Sequence, residues 1–412
     1  SDTGIITLKD LTEVQKVFEQ MQRYFIDDNI TKRQLIDGAI AGGVSSLKDR
    51  YSRYVPPQES REVTEDLEGF YGGVGIMVEP IQDQKGALLT QVFKTGPADE
   101  VGMNAGDIIT HVEDQDVTEM FLYDIVAKIK GPVDTKVKVT VYRQAIGDSL
   151  DFELTRKNVK YPSVFESKIL EGTDGIGYIQ LVNFNNETTK DTQKAVDDLL
   201  EQGMKSLVLD LKQNTGGSFA AAIEIADIFV GDGVMVYTED RDNTLQEYPP
   251  QGKGDGGKKL GIPLVVLVDQ YSASASEILA GAIKDHKVGT LIGRDTFGKG
   301  VVQSVIPQTA GGILLLTISK YLTPDKNDIN QIGIKPDIHA EIDPETTNDP
   351  FLKEKYTRML ELRDESREIT TELVEYLKGY NFPLEVAKQY LSTGELLDGA
   401  YLVTDEEKTD AE

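Results

Sequence analysis

Cysteine is absent from this 412-residue chain, and histidine nearly so: His111, His286 and His339 are the only three. Without cysteine there is no thiol nucleophile and no cysteine-ligated zinc. The absence is compatible with an oxidising compartment without establishing one. None of the histidines lies in a nucleophile–base motif, and neither His-x-x-x-His nor Asp-x-Asp-x-Asp-Gly occurs, so metal-dependent hydrolysis has little support. No apolar run approaches the ~20 residues of a membrane-spanning helix, and no basic-then-apolar leader is present. Positive charge is also short, with 43 Lys and Arg against 70 Asp and Glu, a net charge of −27. That balance keeps a chain soluble and disfavours nucleic acid and anionic membrane as partners.

What the chain does have is two short polar stretches among apolar runs. Tyr271-Ser-Ala-Ser-Ala-Ser-Glu277 follows Pro263–Val268, a run that reads as a buried strand. Thr296-Phe-Gly-Lys-Gly-Val-Val-Gln303 sets one lysine between two glycines, with a glutamine four residues on. Serine, lysine and glutamine can make a hydrolase without histidine or metal. The lysine takes the hydroxyl proton, and the glutamine orients the lysine or the substrate. Lysine is a poor base at its free pKa of ~10.4, but burial can lower that by up to ~3–5 units. Gly216-Gly217 follows another buried strand and can offer backbone N–H groups to an oxyanion, each worth about 3–4 kcal/mol in a transition state.

Length allows two to four domains at roughly 100–200 residues each. Leu8, Leu11, Val14, Val17, Phe18, Met21 and Phe25 fall at helical spacing. Thr31-x-x-Gln34 reads as a capping box opening a second helix to about Leu47, ended by Pro56-Pro57. This pair either covers a core or is an arm joining two copies. Residues from about Gly69 to Lys157 read as a compact β-rich module containing a helix over Leu122–Ile129 and a strand over Lys136–Tyr142. Gly72-Gly73-Val74-Gly75-Ile76, Gly96-Pro97-Ala98 and Ala105-Gly-Asp-Ile-Ile109 in that order resemble a PDZ domain. The resemblance makes Gly73, Val74, Gly75 and Ile76 the loop whose backbone N–H groups hold a peptide carboxylate. From about Val159 strands and helices alternate, as in an α/β domain with sites on strand–helix turns. Residues 253–259 read as a mobile surface loop, and the tail beyond about Asn348 as helical with a disordered acidic end. The expected division is 1–66 helical arm, 67–157 PDZ domain, 158–344 α/β domain, and 345–412 helical C-terminal region.

Two rival readings are open. Gly293-x-x-x-x-Gly298-Lys299 is one residue short of a phosphate-binding loop, but position 300 is glycine where a magnesium-ligating hydroxyl belongs. Alternatively Ser272, Ser274 and Ser276 only cap the following helix, Lys299 is a surface lysine, and the protein is a non-catalytic PDZ adaptor that binds protein C-termini.

Taken together the motifs resemble the C-terminal processing peptidases, PDZ-containing tail-specific serine proteases. The likeness runs from about Leu35 to Ile338. It takes in Leu35-Ile-Asp-Gly-Ala-Ile40, Tyr51-Ser-Arg-Tyr54, the PDZ segment, Asp210–Gly217, the serine and lysine motifs, Tyr321-Leu-Thr-Pro324 and Gly333-Ile-Lys-Pro-Asp337. It implies an α/β multidomain protein: a serine protease core with an inserted PDZ domain and helical terminal regions. It assigns Ser274 as nucleophile, Lys299 as general base, Gln303 as the assisting residue, and Gly216, Gly217 and Ala275 as oxyanion donors. No cofactor or metal is expected. Implied partners are protein or peptide substrates with free C-terminal tails, and a second copy through the helical termini. The expected location is extracytoplasmic, with an export signal or membrane anchor removed ahead of Ser1. The family pattern has Arg and Pro where this chain has Lys212 and Thr215, which leaves the glycines in place but the loop less rigid.

Overall fold

The computed structural model describes residues 4–27, 29–60, 63–64, 70–79, 81, 85–94, 96–160, 162–252, 260–341, 381–397 and 399–403. The 253–259 loop, the expected helical stretch 345–380 and the acidic end therefore lie outside the described residues.

The chain opens with helices α1 (Thr12–Tyr24) and α2 (Lys32–Ser45) and strand β1 (Arg53–Val55). The capping box forms as its spacing predicts: Gln34 N donates to Thr31 Oγ1 at 3.2 Å and Thr31 N to Gln34 Oε1 at 2.9 Å. No residue of α1 is buried, and Leu11, Val14, Val17, Met21 and Tyr24 are exposed.

The β-rich module contains β2 (Phe70–Gly73), β3 (Ile76–Glu79), β4 (Ala87–Val92), the single turn α3 (Pro97–Glu100), β5 (Ile108–Val112) and β6 (Gln115–Asp116). It continues with α4 (Leu122–Ile129), β7 (Lys136–Arg143), β8 (Asp148–Thr155) and β9 (Lys157–Lys160). Strands run β3-β4-β5-β7-β8, with β3 at the edge, around a core of Val74, Leu89, Ile109, Ile125, Val139 and Leu154. The period-2 burial of β7, with Val137, Val139 and Val141 inward, is that of a sheet with one wet face. β2 and β9 pair antiparallel as a separate two-stranded ribbon, Phe70 opposite Lys160. Both passages of the chain into the module run through it.

The α/β part holds β10 (Val164–Ile169), β11 (Ile176–Leu181), α5 (Thr188–Glu201), β12 (Ser206–Asp210), α6 (Phe219–Val230), β13 (Val236–Asp240) and β14 (Leu245–Tyr248). It then holds β15 (Leu264–Val268), α7 (Ala275–Asp285), β16 (Thr290–Gly293), β17 (Val301–Pro307), β18 (Ile313–Leu322), β19 (Ile338–Ala340), α8 (Phe382–Thr393) and β20 (Ala400–Leu402). Its main sheet runs β10-β11-β12-β15-β16-β19-β20. Neighbours from β11 to β19 are parallel, and the two edges are antiparallel. β12 and β15 are buried at every position, which explains the unbroken apolar run of β15 and the Leu-Val-Leu centre of β12.

Two compact units result: residues 1–63 with 302–319, and residues 64–301 with 320–412. In the first, β1 pairs antiparallel with the start of β18, Arg53 opposite Leu315. The two motifs of the N-terminal region meet there. Tyr54 OH donates to Asp37 at 2.8 Å, and the Arg33 guanidinium forks onto the same carboxylate. In the second unit, residues 381–403 belong to the core, not to a peripheral end. Phe382, Val386 and Ala387 bury against Val208, Val265, Leu267 and Ile292, and β20 extends the sheet. Among the described residues no helix is long and apolar enough to cross a membrane.

Candidate active site

Three loops leave the C-terminal ends of adjacent parallel strands: 211–218 after β12, 269–274 after β15, and 294–300 after β16. This is where open α/β sheets place ligands. The serine, lysine and glycine motifs sit on these loops.

The serine turn separates its three serines. Ser272 and Ser276 are fully buried, and their hydroxyls serve backbone carbonyls: Ser272 Oγ donates to Leu211 O at 2.9 Å, Ser276 Oγ to Asn214 O at 2.8 Å. Ser274 is only partly buried and stands at the N-terminus of α7 with φ +55° and ψ −114°. A non-glycine residue seldom adopts that conformation, and such strain concentrates at functional positions. Asp269 shapes the turn, its Oδ1 accepting from Tyr271 N at 3.0 Å and from Ser272 N and Gln213 N at 3.1 Å, while Oδ2 takes Gln213 Nε2 at 2.7 Å.

Glu277 joins the serine turn to the lysine loop. Its carboxylate is completely buried. Oε2 accepts from Ser274 N at 2.8 Å and Lys299 N at 2.9 Å; Oε1 accepts from Gly298 N at 2.7 Å and Thr296 Oγ1 at 2.5 Å. Burial pushes this carboxyl above its ordinary range, against the pull of the donors from Thr296, Gly298, Ser274 and Lys299. Tyr321, also buried, places its hydroxyl 2.5 Å from Lys299 O and 3.1 Å from Ser274 O. The backbones of Ser274 and Lys299 are thus brought together by shared partners. Sequence reasoning assigned Glu277 no role, although Ser274-x-x-Glu277 has the spacing of a helix-capping box.

The glycines flanking Lys299 have a steric reason. A Cβ on Gly298, whose φ is +84°, would lie 2.9 Å from Gly333 N, and one on Gly300 would lie 2.6 Å from Asn330 N. The chain after Lys299 runs into β17 and not a helix, so the helix N-terminus that a phosphate loop requires is missing. Gln303 lies on β17 in the first unit, where its side-chain amide donates to Tyr51 O.

On the glycine loop, Gly216 N already donates to Asn214 Oδ1 at 2.9 Å, and Gly216 O accepts from Phe184 N at 3.1 Å. Gly217 is exposed, and among the described residues neither Gly217 N nor Ala275 N meets a protein acceptor. Of the three expected oxyanion donors, two are therefore open and one is committed inward. At the strand end, Asp210 is fully buried, and burial raises its pKa. It accepts from Tyr178 OH at 2.8 Å and lies 3.7 Å from Lys212 Nζ. Lys212 also reaches Asn381 Oδ1, the cap of α8, at 2.5 Å.

In the β-rich module, Gly73–Ile76 turns from β2 into β3 with Gly75 at φ +79°. Val74 O and Gly75 O accept from Ala98 N and Phe93 N, each at 2.9 Å. Among the described residues no protein acceptor meets Val74 N or Gly75 N.

Comparison with known proteins agrees with this architecture. Residues 175–340 match peptidase family S41, 65–142 match the PDZ domain, and 2–58 match the activating protease CtpB N-terminal domain. The chain is 33% identical over 343 residues to a carboxy-terminal-processing protease of Bartonella bacilliformis, covering 81% of this chain and 76% of that protein. It is 32% identical over 343 residues to the carboxy-terminal processing protease CtpA of Bacillus subtilis, covering 82% and 71%. Among solved structures, a putative S41 protease from Bacteroides fragilis shares the fold at TM-score 0.53 and 17% identity, over 82% of this chain and 90% of that one. With its S41 core, its PDZ domain and relatives of this similarity, the chain belongs to the C-terminal processing peptidases, a family of serine-type peptidases.

Proposed function

We propose that this protein is a serine endopeptidase that takes up free C-terminal tails of protein substrates through its PDZ domain and cleaves them with a Ser274–Lys299 pair. Neutral Lys299 Nζ removes the Ser274 hydroxyl proton as Oγ attacks the scissile carbonyl. The resulting oxyanion is held by Gly217 N and Ala275 N, with Gly216 shaping the loop. The Lys299 ammonium then protonates the departing amine, leaving an acyl-enzyme that water hydrolyses with the lysine as base. Gln303 orients the lysine or the substrate.

One observation carries the choice of nucleophile. The hydroxyls of Ser272 and Ser276 are buried and committed to Leu211 O and Asn214 O, whereas Ser274 is partly exposed at a strained elbow tied through Glu277 to Lys299. The PDZ reading rests on Val74 N and Gly75 N above the β3 edge, to which an extended peptide could add as a strand.

The PDZ domain also gates the site: peptide binding shifts the enzyme from a closed to an open state by its differential affinity. The exposed apolar side of α1 joins two copies, and the enzyme works outside the cytoplasm. Ser274→Ala and Lys299→Ala should each abolish cleavage of a tailed reporter with the fold intact, and Gln303→Ala should lower it. Full activity of Ser274→Ala would remove the assignment. A non-cleavable peptide with an apolar C-terminus should raise the rate on a short reporter; no stimulation, together with no gain on deleting 70–155, would leave recruitment alone.

A further inference from the structure

Asn214 contributes nothing to the pair of reacting side chains, yet it is completely buried between the two loops that carry the open donors. Its Nδ2 donates to Leu181 O at the end of β11 at 2.7 Å, and its Oδ1 takes Gly216 N at 2.9 Å. Its carbonyl accepts from Ala273 N at 3.1 Å and from Ser276 Oγ at 2.8 Å. One residue therefore fastens the glycine loop to the strand beneath it and to the serine turn beside it.

The direction of each donor follows from peptide geometry. In a trans peptide the C=O and the next N–H point opposite ways. Gly216 O is drawn to Phe184 N at 3.1 Å, so Gly217 N–H is turned the other way, into the open. Ser274 O faces Glu277 N at 2.8 Å inside the first turn of α7, so Ala275 N–H points out of the helix N-terminus. Each donor is thus aimed by its own loop, and their separation is set by whatever locks the loops together. That lock is the Asn214 carbonyl, held by Ala273 N and Ser276 Oγ. The Asn214 side chain meanwhile keeps Gly216 N from competing with Gly217 N as a donor.

We propose that Asn214, with Ser276 as its anchor, is the positioning residue that sets the oxyanion hole by fixing the spacing and direction of Gly217 N and Ala275 N. The inference rests on the serine-protease reading above. It also gives the buried third serine of the motif a role in catalysis through geometry, without contact with substrate.

The test compares Asn214→Ala and Ser276→Ala with wild type by three readouts: kcat per active site titrated with a fluorophosphonate, KM for a short reporter, and Ki of a peptide aldehyde. The aldehyde forms a reversible hemiacetal on the serine and loads the oxyanion hole as the transition state does. Losing one oxyanion donor lowers kcat by about 10²–10³. Asn214→Ala keeps the carbonyl but unties the loop from Leu181 O and frees Gly216 N, so it should lose up to about 100-fold, and Ser276→Ala, which removes one of the two donors holding the carbonyl, about 3–10-fold. KM should stay within about twofold, and aldehyde Ki should rise by the same factors as kcat falls. A fold defect alone would reduce the titratable fraction but not the rate per site. If Asn214→Ala does not fold, Ser276→Ala decides. Wild-type kcat per site, or a lost rate with aldehyde affinity untouched, would overturn the proposal. A wild type that is not labelled at Ser274 would instead sink the underlying assignment.

Discussion

Glu277→Gln perturbs the site with almost no change of shape. Four donors within 2.9 Å converge on the two carboxylate oxygens, two on each, and Tyr321 OH stands 3.5 Å from Oε2. An amide keeps one acceptor oxygen and replaces the other by NH2, so in either orientation two donors lose their partner and face N–H groups. Hydrogen bonds to charged groups contribute about 1.5–3 kcal/mol each, so the loss is about 3–6 kcal/mol. Against it stands relief of a buried carboxylate, whose desolvation penalty is also several kcal/mol. The terms oppose one another in stability but not in catalysis, because the pairs at stake orient Ser274 with Lys299, or Gly298 with Thr296. A displacement of about 1 Å at a reacting atom can cost about 100-fold. We expect kcat per titrated site to fall by about 10- to 100-fold with a folded protein and little change in KM. The pH dependence of stability adds an independent check. Because burial raises the Glu277 pKa above its ordinary 4.5, the native state binds that proton more tightly than the unfolded chain does. The stabilisation from protonation is present in full below 4.5 and is lost as pH rises through the raised value. Glutamine has no such term. Urea unfolding of both proteins should therefore show wild type gaining on Glu277→Gln as pH falls through that window. An unchanged kcat per site, or parallel stability curves, would refute this account of Glu277.

Gly217→Ala should fail for steric reasons: its Cβ would lie 2.0 Å from Phe184 O at φ +142°. We expect at least about 100-fold loss of activity; near-wild-type turnover would show that the loop can rearrange. Deleting residues 1–30 should lower the mass seen by light scattering, and an intact protein that is monomeric at micromolar concentration would make α1 a lid and not an arm.

The site loops were legible in sequence because each follows a strand buried on both faces. Leu264–Val268 is an unbroken apolar run and Ser206–Asp210 has a Leu-Val-Leu centre, and a helix follows each within about ten residues. The capping box at Thr31 was readable for the same reason: it is local. Links made by distant residues were not readable. Nothing in the order of residues says that Tyr321 closes over Lys299 O, that Asn381 caps α8 and meets Lys212, or that β17 and the start of β18 group with the N-terminal helices. Choosing among three serines in one small-residue run was equally beyond pattern alone, since the choice turns on which hydroxyls find carbonyls on another loop.

The β2–β9 ribbon has a consequence for how such a protein can be altered. Paired residues across antiparallel strands have Cα atoms about 4.5–5.5 Å apart, so Phe70 and Lys160 hold the two ends of the inserted module almost together. An insert with adjoining ends adds little chain-closure cost to its host, and that cost grows only slowly with the insert's length. The host sheet is therefore nearly indifferent to what the ribbon carries. A short turn could replace the module, or a different peptide-binding domain could be grafted at the same two strands, with the carboxylates of Glu187, just before α5, and Asp191, in its first turn, still clasping Lys160 at the base. The PDZ module and its host sheet can thus vary separately, through a joint only four residue pairs long.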